Sequence, residues 1–263
     1  MQQEDKRQVA VLVVSCDNYS DVWPIFFQLY GKYWNNNDFR TYLLTNNLQP
    51  EFENVEVLSV GEDISWSDNL LNALPRIEEE FVLLFIEDLL LTKPINLELF
   101  HRCLDWALAR NASYFRFNPA TYPDIVINNE IGIISRGAVY RTSVVLSLWK
   151  KEVLCSLLKP GENAWEFEHH GAVRSDKYDD FYSATSTIFP VINSIIKRVW
   201  ERSAVRKLSR LGITIDISYR PVTSLTGEVL WKFRLLRSMV FTAIPGKWRR
   251  SVKRFFQRDN YKY

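Results

Sequence analysis

Apolar and polar positions fall into blocks along the first hundred residues. Residues 9–15 (VAVLVVS) form a nearly unbroken, β-branched apolar run, the pattern of a strand covered on both faces in a parallel sheet. Helical spacing follows over 21–33, then a second strand over 40–45 (RTYLLT) that stops at Asn46-Asn47, and a third over 55–60. Leu70, Leu71, Leu74 and Ile77 recur at helical intervals within 67–80, where Pro75 predicts a kink. Residues 81–86 (FVLLFI) predict a fourth buried strand. This alternation predicts a doubly wound, Rossmann-like α/β fold, a mostly parallel twisted sheet with flanking helices, whose ligands bind beyond the carboxyl ends of the strands.

Past residue 100 the pattern changes. Helices are expected over 98–109, 143–158 and 199–211, and strands over 113–117, 131–140 and 184–192. Pro160-Gly161 opens a polar, aromatic loop, and Pro221 begins a basic tail. No internal repeat or low-complexity tract is present.

With 47% apolar and 14% aromatic residues, a chain of 263 residues buries a substantial core. Cys16, Cys103 and Cys155 are odd in number and lack a C-x-x-C spacing, which argues against a disulfide framework or a structural zinc and for a reducing, cytoplasmic setting. The N-terminus lacks the pattern of a secretory signal, and no run reaches the roughly 20 apolar residues needed to cross a bilayer. The net charge of +2 hides an asymmetry: residues 232–263 hold ten Lys/Arg against Asp259 alone, which leaves 23 basic and 30 acidic residues in 1–231.

Polar clusters stand where the predicted strands end: residues 15–19 (SCDNY), 62–69 (EDISWSDN) and Glu87-Asp88. A carboxylate pair directly after a buried strand is costly unless a cation meets it, and Mg²⁺ or Mn²⁺ carrying a diphosphate suits two carboxylates. A helix cap or an ion pair with Lys or Arg is the competing reading. Asp17 and Asp68 are equally well placed as helix N-caps, Ser67 sharing that role with Asp68. Neither G-x-G-x-x-G nor G-x-x-x-x-G-K-[ST] occurs, so dehydrogenase and P-loop kinase chemistry lose their main support. In residues 163–170 (NAWEFEHH), an extended backbone would put Glu166 and Glu168 on one face and Trp165 and Phe167 on the other. Either carboxylate is a candidate general base for an attacking hydroxyl. Adjacent His169 and His170 diverge in a strand and have no visible third ligand.

The segments VVSCDNYSDVWPIFF, GEDISWSDNLLNAL, FVLLFIEDLLL and NAWEFEHHGAVRS together resemble bacterial glycosyltransferases of capsular polysaccharide and O-antigen (lipopolysaccharide) synthesis, over roughly residues 8–220. The resemblance implies a GT-A-like domain over 1–220, with a nucleotide-binding half at about 8–100 and an acceptor-side half at about 101–220. It implies transfer from a nucleotide sugar, a UDP-sugar foremost, to a saccharide or lipid-linked glycan acceptor, with inversion. By the same likeness Asp88, with Glu87, would hold Mn²⁺ or Mg²⁺ and the diphosphate, while Ser15, Asp17 and Asp68 would contact the nucleotide. Ile86 stands where the first acid of the family's D-x-D element is expected. Some enzymes of this fold work without metal through basic residues, a role open to Arg141, Arg174 and Lys177. Residues 165–168 are similar to a W-G-x-E stretch that carries the acceptor-side base, with Glu166 replacing the glycine; this favours Glu168 as base over Glu166.

Trp248, Val252, Phe255 and Phe256 fall at helical spacing among Lys247, Arg250, Lys253, Arg254 and Arg258. That pattern predicts an amphipathic helix in a membrane interface, with 228–263 binding an anionic surface at the inner face of the bacterial plasma membrane. No nucleic-acid motif accompanies the cations. Other polysaccharide-assembly enzymes are a further partner class. A sugar nucleotidyltransferase is the first alternative, although residues 15–18 supply no Gly-rich phosphate loop; a non-catalytic carbohydrate-binding or assembly protein is the second, separable by the absence of nucleotide-sugar hydrolysis.

Overall fold

A computed structural model describes residues 8–35, 37–119 and 121–224; the expected tail helix lies outside them. The strands are β1 (Val9–Val14), β2 (Arg40–Thr45), β3 (Val55–Ser59), β4 (Phe81–Ile86), β5 (Leu89–Leu91), β6 (Tyr114–Arg116), β7 (Ile125–Val126), β8 (Ile131–Ile133), β9 (Ser147–Lys150), β10 (Phe181–Ala184), β11 (Val191–Asn193), β12 (Ile195–Ile196) and β13 (Val199–Trp200). The principal helices are α1 (Trp23–Tyr33), α2 (Trp66–Ala73), α3 (Leu97–Ala109), α4 (Lys151–Leu157) and α5 (Arg202–Arg210). No helix among the described residues is long and apolar enough to cross a membrane.

A nine-stranded sheet in the order β3-β2-β1-β4-β9-β6-β10-β8-β7 runs through the molecule. Its first four strands are parallel; the unbroken apolar runs of β1 and β4 are buried on both faces, whereas the edge strand β3 (VEVLS) is only part-buried. Beyond β4 the sheet is mixed: β9 runs antiparallel to both β4 and β6, while β10 is parallel to β6. Strand β1 shows why its sequence lacks alternation. Val9, Val11 and Val13 pack on one face with α1 and α3, whereas Ala10, Leu12 and Val14 pack on the other with α2 and α4. On the first face Trp34 meets Phe85, Phe100 and Phe189 with ring centroids 5.6, 5.3 and 5.3 Å away. Such contacts add to the burial of the rings themselves.

Four expectations are corrected. Where 143–158 was expected to be one helix, β9 fills 147–150 at the centre of the sheet and α4 starts only at Lys151. Leu146, at φ +48°, interrupts any helix there, and pairing on both sides outweighs the local spacing of apolar residues. Residues 131–140 form a strand only over Ile131–Ile133, and of 184–192 only Ala184 belongs to β10 and only Val191 and Ile192 to β11, with 185–190 in neither. The helix expected over 67–80 is shorter: α2 ends at Ala73, and Pro75 sits in a 3₁₀ turn, Leu74–Arg76.

Candidate active site at the carboxyl rim of the sheet

Strand order reverses at β1: β2 and β3 lie to one side, β4 to the other. A doubly wound sheet opens its ligand crevice at such a reversal. The residues leaving β1 (Ser15, Cys16, Asp17) and those leaving β4 (Glu87, Asp88) flank it.

Glu87 is buried beside Ser15, whose Oγ accepts from Trp23 Nε1 at 2.7 Å. Burial holds the Glu87 carboxyl well above the usual carboxylate range, and the neighbouring Asp88 pushes it in the same direction. Burial likewise raises Asp88 to about 7. The cation whose field opposes both shifts is Arg220, a residue the sequence did not single out. Its guanidinium is buried, donates to both Asp21 carboxylate oxygens (2.9 and 3.0 Å) and to the Asn18 carbonyl (2.7 Å), and lies 4.6 Å from the Tyr19 ring centroid. Among the described residues this one cation thus serves three acids, and the acid pair stays short of positive charge there. Burial and the charges of Asp63 and Glu87 push the Cys16 thiol up to about 11, so it is no nucleophile.

Asp17 does not cap a long helix. Its carboxylate accepts from the N–H groups of Asn46 (2.9 Å), Asn47 (2.9 Å) and Leu48 (3.2 Å), while its own N–H donates to Asn46 Oδ1 at 3.1 Å. Asp17 therefore clasps the end of β2 to the end of β1. Asn46 is left with a buried Nδ2 that has no partner among the described residues. Asn69 on α2 donates through Nδ2 to Asp63 at 2.7 Å and keeps a buried Oδ1 without partner. Buried polar atoms are nearly always satisfied, so one unmet donor and one unmet acceptor beside a ligand crevice invite a ligand.

The N-cap of α2 is Ser65, which accepts from Asp68 N at 3.1 Å, rather than Ser67 or Asp68. Asp68 accepts from Ser65 Oγ (2.6 Å) and Gly161 N (2.8 Å), which holds its carboxyl below the usual range and ties α2 to the 160s loop. In that loop the buried Glu162 binds Arg174 through both nitrogens (2.8 and 2.5 Å) and meets His170 Nδ1 at 3.0 Å. Arg174 thus braces the loop. Arg141 is fully buried: it donates to Ile134 O (3.2 Å), Ser175 O (2.5 Å), Ser175 Oγ (2.8 Å) and Tyr178 O (2.8 Å), with its guanidinium 4.0 Å from the Phe181 ring centroid. Arg141→Met leaves those carbonyls short of donors and is expected to cost about 3 kcal/mol, read by urea denaturation.

Residues 164–177 are helical, not extended. Asn163 opens the run with a capping box: Glu166 accepts from Asn163 N at 2.9 Å and Glu166 N donates to Asn163 Oδ1 at 3.0 Å. A π-helical turn follows over Phe167–Gly171. Glu166 and Glu168 therefore do not share a face. Glu166 is exposed and closes the cap, whereas Glu168 turns inward and accepts from Val144 N at 3.1 Å. Burial raises the Tyr140 and Tyr114 hydroxyls and the Glu168 charge pushes both in the same direction, and Tyr140 sits at φ +52°, a strained backbone for a tyrosine. Phe167 anchors the turn between Trp66 and Trp149 (5.4 and 6.0 Å).

Strand register brings the residue that holds Glu168 toward the end of β4. Leu84 of β4 pairs with Ser147 of antiparallel β9, so the chain entering β9, with Val144 three residues ahead, runs beside the end of β4 where Glu87 and Asp88 stand. Two hard carboxylates suit Mg²⁺ or Mn²⁺, and Asp88 is the less buried of the pair. The described residues contain no cluster of three or more acid, His or Cys ligands, so phosphate oxygens would have to complete such a site.

No family model and no curated protein match the sequence. Solved structures match it by fold. S. aureus TarS 1–349 in complex with UDP-GlcNAc aligns at 11% identity and TM-score 0.50, over 69% of this chain and 57% of that one. The same TarS portion in complex with UDP aligns at 13% identity and TM-score 0.45 over 67% and 59%; a further TarS structure aligns at 10% and 0.47 over 70% and 36%. The chain covers 36% to 59% of these three TarS chains. It has the mixed α/β fold, a nine-stranded sheet with flanking helices, of the TarS glycosyltransferase structure.

Proposed function

We propose that this chain is an inverting glycosyltransferase that moves a sugar from a UDP-sugar to a hydroxyl of a saccharide or lipid-linked acceptor in bacterial surface polysaccharide synthesis. The observation that carries this reading is the Glu87-Asp88 pair at the strand-order reversal, buried and, among the described residues, short of positive charge. A nucleoside diphosphate bound with Mg²⁺ or Mn²⁺ brings cation and phosphate together, and Asp88 with Glu87 would hold it. The bound metal would neutralise charge on the leaving diphosphate. Asn46 Nδ2 and Asn69 Oδ1 supply one donor and one acceptor, the groups that a carbonyl and N–H of the uracil edge require. TarS, whose fold this is, has been solved with UDP-GlcNAc and with UDP.

Glu168 serves as the base. It takes the acceptor hydroxyl proton as that oxygen attacks the anomeric carbon, and the carbon–oxygen bond to the diphosphate breaks with its electron pair leaving on UDP. The bond from Val144 N holds the Glu168 carboxylate in place, and Asp17, Asp68 and Arg174 shape the walls of the crevice. The basic segment 228–263 holds the protein at the cytoplasmic face of the membrane, where a lipid-linked acceptor is presented. The test is release of UDP from a set of UDP-sugars by the purified protein. Turnover that is lost in Asp88→Ala supports the reading; no turnover of any nucleotide sugar, with or without Mn²⁺, overturns it.

A further inference from the structure

We propose that the β12–β13 hairpin and α5 form a docking surface for an anionic bilayer, built on the strut that carries Asp88. The surface is formed by described residues and does not depend on the tail.

Charge is the first ground. Residues 195–224 contain seven Lys/Arg and two Asp/Glu. Arg220 is buried against Asp21, and Glu201 is buried as the N-cap of α5, accepting from Ala204 N at 2.7 Å. Lys197 and Arg198 in the turn and Arg210 at the end of α5 are exposed and Lys207 is half-exposed, against Asp216; Arg202 and Arg206 carry further positive charge but have interactions of their own. Arg202, Arg206 and Arg210 recur every four residues along α5, while Ala204 and Leu208 face the core.

Backbone strain is the second. Lys197 and Arg198 are the two central residues of the hairpin turn, at φ +51° and +66°. A turn with both residues left-handed favours Asn-Gly, because a β-carbon is strained there. This turn places two long cations at that position, both exposed. A strained backbone that a less demanding sequence would relieve points to a use for the side chains.

Surroundings are the third. The chain leaving α5 exposes Ile217 (57%) and Tyr219 (59%), an aliphatic and an interfacial aromatic residue, beside the cations in sequence. Thr223 N donates to Trp200 O at 2.8 Å, and Arg202 donates to Thr223 O at 2.8 Å, so the last described residues are held against this same surface. Cations interleaved with exposed apolar groups suit lipid headgroups better than a phosphate backbone, which needs no apolar partner.

The surface is wired to the crevice. Ser194, just before the hairpin, donates through N and Oγ to the Asp88 carbonyl (2.8 Å each), and Glu201 N, just after it, donates to Ser194 O at 2.8 Å. The backbone that carries the hairpin cations therefore also holds the Asp88 carbonyl, so a bilayer seated on these cations is tied to the segment that bears the acid pair.

The experiment is flotation of the full chain with vesicles of phosphatidylcholine alone or mixed with phosphatidylglycerol, alongside UDP release in solution. Two double variants are compared, Lys197→Asn with Arg198→Gly and Lys207→Ser with Arg210→Ser. Wild type is expected to float with anionic vesicles only, and each double variant to partition about tenfold more weakly. The hairpin variant should keep or raise its Tm, since its turn is relieved, which separates lost charge from lost fold. Variants that float like wild type, or a wild type that binds single-stranded RNA but not anionic vesicles, would overturn the docking surface. UDP release that survives such a result leaves the glycosyltransferase reading standing, and flotation without UDP release does the reverse.

Discussion

Glu168→Gln is expected to lower sugar transfer by about 10²- to 10⁴-fold while UDP binding and the melting temperature change little. The amide keeps the shape and the bond from Val144 N but takes no proton from the acceptor. Glu166→Gln is expected to act differently, because Glu166 closes a capping box at an exposed helix start. Its loss weakens the cap, by about 1 kcal/mol at most, and leaves turnover near normal. Steady-state kinetics of both variants against one donor separate the two roles. A Glu168→Gln enzyme with wild-type kcat would remove Glu168 from the chemistry, and a collapse of kcat in Glu166→Gln would transfer the role.

Asp88→Asn should trade function for stability. The Asp88 carboxyl titrates at about 7 in the fold against 3.8 ordinarily, so the unfolded chain ionises first as pH rises. The fold is then penalised progressively through that window and fully above it; lowering the pH from 8 toward 4 restores stability from this group. Burial raises Glu87 in the same direction and steepens the trend. The amide introduced by Asp88→Asn carries no charge to desolvate. The ligand-free variant should therefore gain roughly 1–2 kcal/mol at pH 8, or about 2–6 °C in Tm, and lose much of the pH dependence. Transfer should fall by about 10²-fold or more, because a diphosphate with its cation loses its main carboxylate partner. Scanning calorimetry at two pH values and a turnover assay read both halves. An unchanged Tm with unchanged turnover would leave Asp88 without a function.

The parts of this site that were legible in the sequence are those fixed by local pattern. Four parallel strands announce themselves as apolar runs, and Glu87-Asp88 stands out because acids directly follow buried FVLLFI. Strand β9 was hidden, because a few apolar residues at helical spacing cannot register the pairing of both neighbours that makes Ser147–Lys150 a strand. Arg220 was hidden for another reason. It meets Asp21 from 199 residues away, and nothing around Arg220 distinguishes it from the other basic residues near the tail. Glu166 and Glu168 were placed on one face by assuming an extended loop; the Asn163 cap turns the segment helical and separates them, which is what singles out Glu168. Asn46 and Asn69 became candidates only through what their amides fail to meet, a property visible in three dimensions alone.

Calorimetric titration of the chain with UDP in the presence of Mn²⁺, in wild type and in Asp88→Asn, measures most directly whether the rim between β1 and β4 is a nucleotide-diphosphate site. Saturable binding of UDP by wild type, weakened at least tenfold in the variant and not matched by GDP or CMP, is the expected result. Equal affinity in both proteins, or no binding of any nucleotide, would contradict it.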